Sequence, residues 1–154
     1  MVNRDFRREV DRAKDRMSDK ALRVTPEREA VLEVLVERMG THPSAEDIYL
    51  STMKRHPGIG LATVYRTLDA LERIGIVAKL EFGGNGSRYE LVSEMETGHF
   101  HHHLICLGCG KIIEFNQDLL ENLEDTIQKR TGFSITDHSL RFYGYCADCS
   151  REAS

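Results

Sequence analysis

Four cysteines in two matched pairs constrain this chain more than any other feature of its sequence. Cys106 and Cys109 form one Cys-x2-Cys pair, and Cys146 and Cys149 form a second near the C-terminus. Two such pairs supply the four thiolates of a structural zinc site, which would tie the last strand of a domain to an earlier one and leave no position open for catalysis. Redox dithiols and plain buried cysteines are the alternatives. Redox motifs rarely occur in two matched copies, so the pairs favour Zn²⁺.

The N-terminal segment argues for a cytoplasmic protein. "MVNRDFRREVDRAKDR" is charged throughout and lacks the apolar core of a signal peptide. No apolar run approaches the roughly 20 residues that span a bilayer, so we expect no membrane partner. Thiols stay reduced in the cytoplasm, which again favours metal over disulfide.

Charge is distributed unevenly along the chain. The net charge is −4, but residues 1–95 hold 16 of the 21 basic and 16 of the 25 acidic side chains. An acidic total argues weakly against nucleic-acid binding, for which a basic surface is usual. Local placement of the basic residues can override that total.

The first half of the chain has the period of helices. Residues 3–22 carry few apolar side chains among many charges and predict a loosely packed helix at the surface. A second helix begins at Pro26 after the N-cap Thr25, and a third begins after Ser44. A further helix is predicted from Leu61 to Gly75. The predicted apolar faces of the last two are Ile48, Leu50 and Met53, and Val64, Leu68, Leu71 and Ile74.

A β-hairpin is predicted to follow these helices. "IVAKLEF" and "SRYELV" alternate in polarity and are joined by a "GGNG" turn. Three helices and a two-stranded hairpin, in this order, are typical of a winged helix-turn-helix domain. A small helical domain with an appended hairpin is the alternative.

The helix before the hairpin carries residues suited to reading DNA. Its first turns hold Thr63, Tyr65, Arg66 and Thr67, which we expect opposite the apolar face. Such N-terminal positions of a recognition helix meet base edges in the major groove. Arginine can pair with guanine, and threonine methyls or aromatic rings can touch the methyl group of thymine. Arg23 and Arg28 are predicted to contact phosphates.

The second half of the chain has a mixed pattern. The polar segment 93–98 is predicted to be a hinge. Strands are predicted at 103–107 and 111–115, and a last strand at 133–146. A helix is predicted over about 117–130, with Leu119, Leu120, Leu123 and Ile127 facing inward. An α/β domain of about 55 residues is marginal alone and benefits from a metal or from oligomerisation.

Histidines at the start of this half indicate a second metal site. In "HFHHHLICLGCG", His101 and His103 alternate on a strand and so point to the same side, with Glu114 within reach on the neighbouring strand. His102 points to the other side. Imidazole with carboxylate suits Fe²⁺, Mn²⁺ or Zn²⁺. Solvated surface histidines are the alternative.

Four motifs together resemble the ferric uptake regulator family of bacterial metal-sensing repressors. These are "THPSAEDIY", "GLATVYRTL", "HHHLICLGCGKIIEF" and "YGYCADC", spread in order over residues 20–150. The resemblance implies an α+β chain with a winged helix-turn-helix DNA-binding domain (1–92), the hinge (93–98) and a small α/β dimerisation and metal-binding domain (99–154). It also implies a homodimer on double-stranded DNA with a palindromic, A/T-rich operator.

The resemblance also implies metal ligands. The structural Zn²⁺ would be held by the four cysteines. The implied regulatory ligands are His42, Glu90, His101, His103 and Glu114. A third site would use His99, His102, Glu121 and His138. It departs from the family pattern at Phe100, where many members carry histidine.

The effector predicted from these residues is Fe²⁺, and a peroxide-, manganese- or zinc-sensing member of the same family is the alternative. Zinc sensors of the family often place a cysteine in the regulatory site, whereas all four cysteines here are assigned to the structural site. Peroxide sensors carry aspartates where this chain has Glu90 and Glu114. A metallohydrolase with Glu114 as general base is disfavoured, because no nucleophile arrangement accompanies it and a winged helix has no role in it. We therefore predict a regulator and not an enzyme.

Overall fold

The structure is a computed structural model. It describes residues 4–81, 86–92, 102–115, 117, 119–136, 138 and 140–152. The chain divides into two compact units, an N-terminal unit of Met1–Ser93 and a C-terminal unit of Glu94–Ser154. The predicted hinge, along with His99, Phe100 and His101, lies outside the described residues.

The N-terminal unit consists of helices followed by a hairpin, in the order that the sequence predicts. Strands β1 and β2 pair antiparallel, with Val77 opposite Leu91. The elements are α1 (Arg4–Asp19), α2 (Pro26–Glu37), α3 (Ala45–Arg55), α4 (Leu61–Arg73), β1 (Val77–Glu81) and β2 (Ser87–Leu91).

Local chemistry explains where two of these helices begin. The Thr25 side chain accepts a hydrogen bond from the backbone N–H of Arg28, and Pro26 occupies the first helical position. At α3, Ser44 and Asp47 each accept from the other's backbone N–H and so form a capping box. Both satisfy N–H groups that have no partner within the helix.

Helix α1 belongs to the core, which corrects the prediction of a loosely packed surface helix. Val10, Ala13 and Met17 are buried, and Met17 has no exposed surface. The spacing of three and four residues places these few apolar side chains on one helical face. That face packs in the cluster that also contains Ile48 and Leu68. A low apolar content therefore concealed a well-packed face.

The apolar face of α3 also differs from the prediction. Leu50 is 51% exposed and Met53 is also exposed, whereas Ile48 and Thr52 are buried. One residue corresponds to about 100° of helical rotation, so Leu50 points away from Ile48 while Thr52 lies on the same side. The Thr52 hydroxyl donates to the Ile48 carbonyl, which satisfies a buried polar group. On α4, Val64, Leu68 and Leu71 are buried as predicted, and Ile74 is half-buried.

The C-terminal unit is built on a three-stranded sheet with the order β4-β3-β5. Strand β3 pairs antiparallel with β4 and parallel with β5. The second cysteine pair stands at the start of a short helix, and the described part of the predicted strand 133–146 is extended only at β5. The elements are β3 (His102–Cys106), β4 (Ile112–Phe115), α5 (Glu121–Thr131), β5 (Arg141–Gly144) and α6 (Ala147–Glu152).

Helix α5 corrects a further prediction, because no residue of α5 is buried within the chain. Leu119, Leu123 and Ile127 are exposed, with Leu123 at 53%. The helical periodicity was predicted correctly, but no described residue of the single chain buries the apolar face of α5.

Within the described part of the chain, no helix has both the length and the apolar character that a membrane crossing needs.

Candidate metal centres and the exposed face of helix α4

The four cysteines come together in the C-terminal unit as free thiols. Their sulfur atoms all lie within 4.8 Å of one another. The Cys109 and Cys146 sulfurs are 3.8 Å apart, which equals the spacing of about 3.8 Å expected for tetrahedral thiolates with Zn–S of about 2.3 Å. Parallel pairing of β3 with β5 sets Cys106 opposite Gly144 and so brings the two pairs together. The donor set fits zinc.

The electrostatics of this cluster favour thiolate at its most buried member. Backbone N–H groups of Cys109 and Cys146 stabilise the Cys106 thiolate and lower its pKa to about 6. The N–H of Cys146 lies 3.2 Å from the Cys106 sulfur. The pKa of Cys149 is raised, mainly by hydrogen bonding with Cys146. Four thiols this close cannot all ionise without a cation, and a bound Zn²⁺ would remove that restriction.

Gly108 is required by the packing of the cysteine cluster. A Cβ atom at this position would lie 2.9 Å from the Cys149 sulfur and 3.1 Å from its Cβ. Glycine therefore allows the first turn to approach the second pair closely.

A histidine–glutamate pair stands in the N-terminal unit. His42 Nε2 lies 3.0 Å from Glu90 Oε2, and the His42 side chain is only 5% exposed. The N–H of Tyr89 donates to the Pro43 carbonyl, which ties β2 to the loop that carries the histidine. Two residues far apart in sequence, both implied by the family resemblance, are thereby brought together.

A second such pair stands in the C-terminal unit. His103 and Glu114 are directly opposite on β3 and β4, and their ligand atoms lie within 4.8 Å of each other. His103 is buried. Their predicted companion His101 lies outside the described residues.

A third cluster contains His102, His138 and Glu124. His102 is 1% exposed, and its ring centroid is 5.6 Å from that of His138. His138 Nδ1 lies 2.5 Å from Glu124 Oε1. Among the described residues, neither ring nitrogen of His102 has a hydrogen-bond partner, nor does Nε2 of His138. Glu121, the carboxylate implied by the family resemblance, is exposed one helical turn before Glu124.

Helix α4 presents part of the predicted DNA-reading set to solvent. Tyr65 is 39% exposed, Arg66 is exposed, and Thr63 is half-buried. Arg66 Nη2 donates to the Thr63 hydroxyl, 3.0 Å away. Thr67 is buried, which corrects its expected place on the exposed face.

The two predicted phosphate ligands lie near the start of α2. Arg23 is exposed and Arg28 is half-buried. Arg28 Nη1 donates to the Arg23 carbonyl, 2.6 Å away, so the two residues are held as neighbours.

Two polar contacts were missed by the sequence analysis. The Tyr65 hydroxyl donates to Glu46 Oε1 at 2.6 Å, and the Glu124 carboxylate contacts His138. Both glutamates lie near the beginning of a helix, where an acidic residue is expected without any partner. Only the contacts that Glu46 and Glu124 make with distant residues distinguish them from other acidic residues at the start of a helix.

Comparison with known proteins gives consistent matches. The profile of the ferric uptake regulator family matches residues 19–143. The chain is 45% identical over 141 residues to the ferric uptake regulation protein of Bacillus subtilis, covering 92% of this chain and 94% of that protein. It is 36% identical over 144 residues to the peroxide operon regulator of the same organism, covering 94% and 95%. The structure of the Helicobacter pylori ferric uptake regulator, described as having three functional metal binding sites, matches with a TM-score of 0.77 at 31% identity, covering 94% of this chain and 93% of that one.

Proposed function

Because this chain belongs to the ferric uptake regulator family of metal-responsive regulators, we propose that it is a homodimeric, Fe²⁺-dependent transcriptional repressor. It would bind a palindromic, A/T-rich operator in the cytoplasm and control metal-uptake genes. The relatives of the chain are regulators and not enzymes.

Support comes above all from the histidine–glutamate pair in the same unit as helix α4. His42 and Glu90 are 3.0 Å apart and nearly buried. They belong to the loop before α3 and to the wing strand β2. The loop leads into α3, which lies against α4, and β2 pairs with β1, which also lies against α4. A change in ligation at this pair would therefore act on elements that contact α4.

We propose that one ion takes ligands from both units. His42 and Glu90 would bind from the N-terminal unit, and His101, His103 and Glu114 from the C-terminal unit. When bound, the ion would supply positive charge that offsets the carboxylates, and it would hold the carboxylate and imidazole ligands together. The ligands would thereby restrict how the two units are oriented. Without the ion, the arrangement that binds DNA would be a minor state. The apparent affinity for DNA would then be reduced in proportion to the population of that state.

The DNA contacts proposed for the dimer follow from the exposed face of α4. Tyr65 and Arg66 would meet base edges, with Thr63 beside them, while Arg23 and Arg28 would contact the backbone. In a homodimer the spacing of the two α4 helices must match major grooves one helical turn apart or a multiple of it.

Homodimerisation is supported by the uncovered apolar surface of the C-terminal unit. Leu123 and Ile127 on α5, and Phe142 and Tyr143 on β5, are exposed in the single chain. A soluble monomer rarely leaves so many large apolar side chains exposed. We propose that a second copy covers the exposed α5 residues Leu123 and Ile127.

A third metal site is proposed around the buried imidazoles. His102 and His138 have unpaired ring nitrogens among the described residues, which is costly unless a ligand binds them. Glu124 contacts His138 and is the stronger candidate for the carboxylate ligand than Glu121. The proposal predicts that His138→Ala or Glu124→Gln removes one bound metal ion per chain, measured by elemental analysis, whereas Glu121→Gln removes none.

The proposed function is tested by anaerobic titration of operator binding with Fe²⁺, Mn²⁺ and Zn²⁺. We expect Fe²⁺ to tighten binding of the wild type at least tenfold, which is about 1.4 kcal/mol. His42→Ala and His101→Ala should lose that gain. His56→Ala removes an exposed histidine at the end of α3 and is the matched control.

Other outcomes identify other functions. A response to Zn²⁺ alone would make the chain a zinc sensor, and a response to Mn²⁺ alone a manganese sensor. A peroxide sensor with iron bound would gain an oxygen atom on His42 or His101 after exposure to peroxide, detected by mass spectrometry. No effect of any metal would contradict the bridging mechanism.

A further inference from the structure

Tyr65 is anchored at both ends of its side chain. Its backbone belongs to α4, which packs through the buried Val64 and Leu68. Its hydroxyl donates to Glu46 Oε1 at 2.6 Å. A tyrosine ring has two rotatable bonds, so a fixed hydroxyl determines where the ring lies.

Glu46 itself is held by the start of α3. It stands between Ala45 and Asp47, and Asp47 belongs to the capping box with Ser44. Ala45 is buried, which fixes the backbone on the other side of Glu46. The backbone of Glu46 is therefore part of a capped helix terminus, and the hydrogen bond to Tyr65 joins α3 and α4.

The protonation states of the two groups suit this bond. The hydrogen bond from Tyr65 lowers the pKa of Glu46, which remains a carboxylate acceptor. The same bond raises the pKa of Tyr65, which remains a neutral donor. A carboxylate near a DNA-reading face repels the phosphates of DNA and so weakens binding. A role in holding a neighbouring side chain would account for a carboxylate at this position.

We propose that Glu46 is a positioning residue for base recognition: it accepts the Tyr65 hydroxyl and holds the ring where it meets a thymine methyl group. This inference rests on the proposed DNA-binding function. Glu46 contributes to specificity without touching DNA, because the ring is already ordered before the complex forms. The opposite role, a latch that keeps Tyr65 away from DNA, predicts tighter binding when Glu46 is removed.

The test measures binding of the metal-loaded, full-length protein to a duplex that the wild type selects from a random pool. Single thymines are then replaced by uracil, which removes only the methyl group that the ring would touch. The measured quantity is the ratio of the two dissociation constants at the position where the wild type discriminates most. A loss of general folding does not produce a change at one methyl group.

Four variants separate the contributions. Glu46→Ala should weaken binding to the thymine duplex by about threefold to tenfold and bring the thymine-to-uracil ratio close to one. Glu46→Gln keeps an acceptor oxygen and should retain most of the ratio. Tyr65→Phe should lower the ratio, and the double variant Glu46→Ala/Tyr65→Phe should be no worse than Tyr65→Phe alone.

Glu27→Ala is the matched control for charge, since it removes a carboxylate from the first turn of α2. It should leave the thymine-to-uracil ratio unchanged. If Glu46→Ala does not fold, Glu46→Gln and Tyr65→Phe still test the proposal.

The outcomes distinguish this inference from the function on which it rests. If the wild type discriminates thymine and Glu46→Ala does not reduce that ratio, the positioning role is wrong, whether or not Tyr65→Phe reduces it. Tighter binding by Glu46→Ala supports the latch and overturns the proposal. If the metal-loaded wild type selects no duplex, the DNA-binding function and this inference both fail.

Discussion

Ala21, just after the end of α1, has a backbone conformation that is unfavourable for alanine. Ala21 has φ of 56°, a left-handed conformation that costs a non-glycine residue roughly 1 kcal/mol. The N–H of Leu22 donates to the Met17 carbonyl and that of Ala21 to the Ser18 carbonyl. This is a Schellman motif, in which glycine is the usual residue at the position of Ala21.

We therefore expect Ala21→Gly to raise the free energy of unfolding by about 0.5–1 kcal/mol. Urea unfolding followed by circular dichroism measures the change. Ala70→Gly makes the same substitution within α4 and should lower stability by about 1 kcal/mol. Equal effects of the two substitutions would contradict the left-handed assignment.

Asp47 gives the capping box of α3 a defined pH dependence. The backbone N–H of Ser44 donates to its carboxylate and lowers the pKa of Asp47. A lowered folded-state pKa contributes stability that is present above the unfolded value of about 4 and is lost as the pH falls through the folded value.

Asp47→Ala should accordingly destabilise the protein by about 1 kcal/mol at neutral pH. The difference from the wild type should shrink below about pH 4 as Asp47 becomes protonated. Thermal melts across this pH range measure both effects. Asp15→Ala, which removes an exposed aspartate from α1, should show no such convergence, and a difference independent of pH for Asp47→Ala would rule out the capping role.

Among the helices, α1 and α3 show that apolar content and burial are different quantities. Helix α1 has few apolar residues, yet three of them are buried because they share one face. Helix α3 has a leucine and a methionine that are exposed, because they fall off the face that the core selects. Arg16 adds to the attachment of α1 by donating to the Val92 carbonyl at 2.6 Å.

Matched truncations test this assignment. Met17→Ala should lower the free energy of unfolding by about 2–5 kcal/mol, as expected for a fully buried methionine. Leu50→Ala removes a comparable side chain that is half exposed and should change stability by no more than about 0.5 kcal/mol. Denaturant unfolding at one pH compares the two, and a larger effect of Leu50→Ala would contradict the packing of both helices.

For the complete molecule, the decisive feature is the uncovered face of α5. Leu119 just before the helix and Leu123 and Ile127 within it are spaced four residues apart, as in a helix that packs against a core. Within one chain nothing among the described residues buries them. Their burial in a second copy would give the small C-terminal unit apolar contacts that it lacks alone.

We expect Leu123→Glu to convert the dimer to a monomer, because it places a charge at the centre of this face. Multi-angle light scattering on the zinc-loaded protein measures the mass. Asn122→Glu adds the same charge one position away on the exposed helix and should leave the dimer intact. A monomeric wild type, or a dimeric Leu123→Glu variant, would show that the second copy does not use this face.

Local patterns were sufficient to predict much of this protein. The winged-helix order, the caps at Thr25 and Ser44, and the cysteine pairs all depend on residues close together in the chain. Side-chain alternation also predicted that His103 and Glu114 face each other across two strands, because the strand period is two.

Other features depended on contacts between distant segments. Local periodicity does not predict the burial of Met17 or the exposure of Leu123. Nor does it predict which residues Glu46 and Glu124 contact. A helix period states which residues share a face, but another element must decide whether that face is covered and by what. For this reason local patterns and the family resemblance could predict candidate metal-binding and DNA-reading residues, while the hydrogen bond between Tyr65 and Glu46 became visible only when α3 and α4 were packed together.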